Sequence, residues 1–186
     1  MQFLEYNHYQ SHFDYIQLNH IFYRQSLCFY NVLLNLQICD KYLKTIGTKV
    51  TKKDIIVCNP KNDKLINTCL LVWDIMGQKG FRHLLKEVYF SGADGVIGTC
   101  DLTRKDTLDS LHEWMKVSCE CIGNVPTIFL GNKLDLVNKQ QIYLKDLKNF
   151  ASNYDNTPVF LTSAKSGENV ELAFKTLSEL ILKKLS

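Results

Sequence analysis

Neither lysine nor glycine occurs between Met1 and Asp40, although all nine glycines and every lysine of the chain follow from Lys41 onward. A segment without glycine has few residues that can adopt left-handed backbone angles at no cost, and one without lysine has little with which to meet a phosphate. The same stretch carries many aromatic residues and one arginine, Arg24, so two compositions meet at Lys41. Proline is scarce as well, three in 186 residues. With no repeat of about twenty to fifty residues, this excludes collagen-like, low-complexity and solenoid chains. Long apolar runs are also missing. The best span candidate, Ile21 to Cys39, contains Arg24, Gln25, Asn31, Asn35 and Gln37, and an arginine at mid-bilayer alone costs about 3 kcal/mol. Glu5 stands where a secretory signal would begin with basic residues. The net charge of +3 is small and its lysines are scattered, so no basic stripe for nucleic acid is present and no nucleic-acid partner is expected. The seven cysteines are odd in number and irregularly spaced, with Cys119 and Cys121 the one close pair. Reduced thiols are expected rather than a disulfide framework or a zinc site, and the cytoplasm is the expected compartment.

What the chain does have is enough apolar residue, 46%, against 22% charged, for one globular core. From Lys41 onward two kinds of periodicity alternate. Asp54 to Asn59 and Ile66 to Trp73 read as strands around a reversal supplied by Pro60, Asn62 and Asp63. Gln78 to Phe90 has helical spacing, and Gly95 to Cys100 is a short buried strand. Thr103 to Cys121 is a helix, Val125 to Leu130 a strand, Ile142 to Tyr154 a helix, Pro158 to Leu161 a strand and Val170 to Leu185 a last helix. This alternation predicts an α/β doubly wound, mostly parallel sheet with helices on both faces. Ligands of such sheets sit beyond the carboxyl ends of the strands. The polar clusters there are Asp74 to Gln78, Asp101, Asn132 to Asp135, and Thr162 to Lys165.

Three of those clusters, with Thr45 in Tyr42-Leu-Lys-Thr-Ile-Gly47, resemble in order and spacing the motifs of the Ras superfamily of small GTPases, nearest to its Rab-like branch. The stretch around Thr45 is similar to the first switch and Trp73-Asp-Ile-Met-Gly-Gln78 to the second. Gly131-Asn-Lys-Leu-Asp135 is similar to the guanine-reading loop, and Thr162-Ser-Ala-Lys165 to the loop that closes on the base. The resemblance covers about Lys41 to Lys184 and implies a P-loop NTPase-like fold over residues 41–186. Residues 1–40 form an atypical segment in place of the usual first strand and phosphate loop. Implied too are GTP and GDP as ligands, a magnesium ion, hydrolysis of GTP, and regulators and effectors meeting residues 41–50 and 74–90.

Each implied role has a chemical reason. Asp74, a strand-end carboxylate, suits a hard cation held through water, and Thr45 would offer its hydroxyl to the same ion. Residues 41–50 would then be ordered by the triphosphate and released after hydrolysis. Gly77 lets the backbone approach a γ-phosphate with its N–H available, and Gln78 would orient the attacking water. Asp135 can accept the adjacent N1–H and N2–H of guanine, a pair of donors that adenine lacks. Asn132 would brace the neighbouring loops and Lys133 would lay its alkyl stem along the ring. Ser163 belongs to the closing loop, in which Ala164 would give a backbone N–H to the base carbonyl and Lys165 would cover the other face.

One family motif is absent. The phosphate loop, Gly-x-x-x-x-Gly-Lys-[Ser/Thr], should precede Thr45 by about twenty residues. The window there, His20 to Leu27, reads His-Ile-Phe-Tyr-Arg-Gln-Ser-Leu. Losing several charge-assisted hydrogen bonds would remove on the order of 5–10 kcal/mol of nucleotide affinity. Three readings stay open: a faulty gene start or frameshift before about Lys41, a catalytically inactive relative acting as an interaction module, or an unfamiliar mode of phosphate binding with a first helix over Ser26 to Leu34. The first strand is expected between His12 and Leu18, where the alternation suits a half-exposed strand better than a central one. With Cys121 the last cysteine before Leu-Lys-Lys-Leu-Ser186, no lipid anchor is expected.

Overall fold

Sheet pairing orders the chain more firmly than any single element does. The computed structural model describes residues 15–23, 48–75, 90 and 92–185. Within them six strands form one sheet: β1 Tyr15–Tyr23, β2 Thr48–Cys58, β3 Leu65–Ile75, β4 Gly95–Asp101, β5 Thr127–Asn132 and β6 Val159–Leu161. Their spatial order is β2-β3-β1-β4-β5-β6, with β2 antiparallel to β3 and every other pair parallel. Because β4 lies on the opposite side of β1 from β3, the strand order reverses there. The carboxyl ends of β1 and β4 therefore flank the crevice where such sheets take ligands.

The β2–β3 hairpin turns through Asn59 to Lys64. Asn59 Oδ1 accepts the Lys61 N–H, Asn62 Oδ1 accepts the Lys64 N–H, and Asp63 takes a left-handed φ of 55°. Side-chain amides thus stand in for a glycine turn. Both strands are longer than their apolar runs. The ladder pairs Thr48 with Ile75 and Val50 with Trp73, so residues 48–50, the end of the segment expected to respond to the ligand, are strand residues.

The first strand departs furthest from expectation. It runs from Tyr15 to Tyr23, pairs with β3 over its whole length and with β4 from His20 to Tyr23, and is central. Alternation reports which faces of a strand meet apolar neighbours, not which edges are paired, so backbone pairing on both sides escaped it. It follows that His20 to Tyr23, the first half of the expected phosphate-loop window, are strand residues.

Helices cover both faces. α1 Asp106–Ile122 and α2 Leu144–Ala151 pack Leu111, Trp114, Met115, Leu147 and Ala151 against Val96, Cys100 and Phe129. α3 Val170–Leu185 packs Ala173, Phe174, Leu177 and Ile181 against Ile55, Leu70, Val72, Ile97 and Leu130 on the opposite face. β4 is buried along its full length, which is why it reads as an unbroken apolar run. Its glycines admit the helices. A Cβ on Gly95 would come within 2.7 Å of Ile181 of α3, and one on Gly98 within 2.8 Å of Phe129 and 2.9 Å of Leu111 of α1.

Boundaries shift where side chains intercept the backbone. α1 starts at Asp106 instead of Thr103 because Thr103 gives both its N–H and its hydroxyl to Asp101 Oδ1, a local turn that competes with helix. α2 begins at Leu144, where the Tyr143 N–H donates to Asp146 Oδ2, and left-handed Asp155 and Asn156 lie beyond its end. Ile142 stays outside α2, is 1% exposed, and donates its N–H to Leu102 O. Phe90, the last residue of the helix expected from Gln78, is helical and buried; the rest of that helix lies outside the described residues. The described cysteines, Cys58, Cys69, Cys100, Cys119 and Cys121, carry thiols and no disulfide. Among the described residues no helix is long and apolar enough to cross a membrane.

Candidate functional site

The loops that follow β5 and β6, Asn132 to Asp135 and Thr162 to Lys165, meet at the carboxyl ends of those strands. Asn132 is the last residue of β5 rather than the first of the loop, opposite Asp101 in the ladder. This position fixes its side chain, which is 4% exposed and accepts the Ala164 N–H at 2.9 Å on Oδ1. Three residues on, the Ser163 hydroxyl donates to Asp135 Oδ1 at 2.7 Å. The same Ser163 oxygen accepts the N–H groups of Lys165 and Ser166 at 3.2 and 3.1 Å. A third link, the Leu134 N–H to Thr162 O at 3.0 Å, closes the seam between the loops.

These contacts leave Asp135 exposed but oriented, with Oδ1 anchored by Ser163. A carboxylate held in this way can accept a pair of parallel donors without first losing rotamer freedom. Ser163 and Ala164 are 0% and 2% exposed and Lys165 is exposed, so the closing loop carries a buried anchor and a reachable tip.

Lys133 takes φ 72°, ψ 37°, left-handed values that cost a side-chain-bearing residue about 1 kcal/mol. Its ammonium forms an ion pair with Asp101 Oδ2, while Asp101 Oδ1 accepts the Thr103 N–H at 2.9 Å and hydroxyl at 2.7 Å. The sequence marks Asp101 as a polar strand end but attaches no role to it. The available signal was a strand-end Asp followed two residues later by Thr. Next to it, burial with the neighbouring Asp101 charge pushes the Cys100 thiol up to about 12.

At the other side of the sheet, Asp74 lies one residue before the end of β3, opposite Phe22 in the ladder and 1% exposed. A buried carboxylate at the ligand-side end of a strand fits a hard cation held through water. Among the described residues no cluster of three His, Cys, Asp or Glu could hold a metal ion. Thr45, Gly77 and Gln78 lie outside the described residues. The donors present therefore fit a purine base and one side of a cation shell. The phosphate cradle does not fit in the same way, since the eight residues following β1, Arg24 to Asn31, contain neither glycine nor lysine.

The reversed strand order, helices on both faces, and loops joined through Asn132–Ala164 and Asp135–Ser163 define the α/β fold of the P-loop GTPases. The family model described as Ras family matches residues 15–183, beginning at the first residue of β1. The chain belongs to the Ras family of small GTPases, on its Rab-like side. It is similar to Ras-related protein Rab-2B of Dictyostelium discoideum, at 36% identity over 143 residues, 76% of this chain and 66% of that protein. Ras-related protein Rab-1D of the same organism is 33% identical over 151 residues, 79% of this chain and 69% of the relative. GTP-binding protein ypt1 of Schizosaccharomyces pombe is 34% identical over 117 residues, 62% and 57% of the two chains.

Proposed function

We propose that this chain is a guanine-nucleotide switch that binds GTP and GDP and hydrolyses GTP to GDP and phosphate. The observation that carries the reading is the anchored Asp135: its carboxylate is exposed, held by the Ser163 hydroxyl, and backed by Asn132 and Ala164. It accepts the N1–H and N2–H of guanine, Ala164 donates to the base carbonyl, and the stems of Lys133 and Lys165 cover the two ring faces. Gln78 orients the attacking water, with the Gly77 N–H on the γ-phosphate. Asp74 and Thr45 would hold a magnesium ion, which would supply positive charge to offset that of the phosphate oxygens. Residues 41–50 and 74–90 meet regulators and effectors, in the cytoplasm.

A second reading has one observation in its favour. From Arg24 to Asn31 the chain has none of the glycines and lysine of the family's phosphate loop, which favours a catalytically inactive interaction module on the same fold. One experiment separates the two. The chain is purified without added nucleotide, denatured, and the released ligand identified by chromatography; titration with a fluorescent GDP then follows, with and without magnesium. Stoichiometric guanine nucleotide, lost in Asp135→Ala, and magnesium-dependent phosphate release support the switch. An empty chain that binds no GDP supports the inactive module.

A further inference from the structure

We propose that Asp101 is a positioning residue for the nucleotide base, holding Lys133 in place before a ligand arrives; this rests on the reading of the site as a guanine-nucleotide site. Asp101 is 4% exposed, yet both of its oxygens are used. Oδ1 takes the N–H and hydroxyl of Thr103 and so cannot turn, and Oδ2 receives the Lys133 ammonium. The Lys133 side chain is 31% exposed, so its tip is anchored at a buried carboxylate while part of its length stays reachable. The backbone end is fixed too, by the left-handed turn and by Asn132, which lies opposite Asp101 in the ladder.

A lysine stem tied at both ends is an apolar strip of fixed direction, two residues from the anchored Asp135. A lysine with a loose ammonium would have to give up rotamer freedom each time a ring came to rest on it. Asp101 removes that loss in advance. The strip contacts a ring face and ignores the exocyclic groups, so Asp101 contributes to purine affinity without choosing among purines, whereas Asp135 chooses.

The test compares wild type, Asp101→Asn, Lys133→Met and the double variant by titration with GDP and with inosine diphosphate, after thermal melts have shown that each is folded. Asp101→Asn is expected to bind both nucleotides roughly tenfold more weakly, by the same factor. In the Lys133→Met background it is expected to cost nothing further. Equal affinity in wild type and Asp101→Asn, or costs that add in the double variant, overturns the inference and leaves the site reading intact. A folded wild type that binds neither nucleotide overturns both. Should Asp101→Asn not fold, acylation of wild-type lysines followed by mass spectrometry decides. Lys133 modified far more slowly than Lys139 and Lys165 supports the anchor, and equal rates overturn it.

Discussion

The Ser163 hydroxyl donates to Asp135 at 2.7 Å across 28 positions of sequence, while its oxygen receives two backbone N–H groups from the turn that follows. One small side chain thus holds the carboxylate of one loop and the backbone of another. Ser163 is fully buried, so no water substitutes easily for it. Ser163→Ala is expected to cost about 1–3 kcal/mol of stability from the groups left unpaired. It is also expected to weaken guanine-nucleotide binding by about tenfold or more. Urea unfolding and a fluorescent-nucleotide titration measure the two effects, and unchanged values in both would show that the loops align without it.

Gly98 sits where α1 presses against β4. A methyl group there would lie 2.8 and 3.0 Å from ring atoms of Phe129 and 2.9 Å from Leu111, both fully buried. An aromatic ring packed on all sides yields poorly, so Gly98→Ala is expected to lower stability by about 1–3 kcal/mol. The denaturation midpoint reports this directly.

Thr68 lies in the middle of β3, 0% exposed, with its hydroxyl oxygen unpartnered among the described residues. A buried hydroxyl without a partner loses its hydration for no return. Thr68→Val keeps the branched shape favoured in strands and removes that loss, and is expected to raise stability by up to about 1 kcal/mol. A fall in unfolding temperature would mean that the hydroxyl finds a partner in solution.

Cys100 and Cys119 differ in environment and should differ in reactivity. Burial keeps the Cys100 thiol protonated up to about pH 12, and Cys119 is exposed on α1. Because the thiolate is the nucleophile, raising the pKa removes reactivity at every pH below it. Iodoacetamide at pH 8 is expected to label Cys119 readily and Cys100 only after denaturation. Mass spectrometry of the native protein at early times distinguishes the sites, and early labelling of Cys100 would indicate local opening of β4.

Linear order was enough to reveal the strand and helix alternation after Lys41, because residues buried on both faces of a parallel strand leave an unbroken apolar run and amphipathic helices leave a repeat near four. It was also enough to mark Asn132, Lys133, Asp135, Ser163, Ala164 and Lys165, since a carboxylate matched to two donors is a chemical requirement visible in residue type and spacing. Tertiary structure alone made β1 a central strand, since pairing along both edges is a relation between backbones that side-chain alternation does not encode. It also joined Asp101 to Lys133 and Ser163 to Asp135, pairs whose members are 32 and 28 positions apart, by bringing the ends of neighbouring parallel strands to one rim of the sheet.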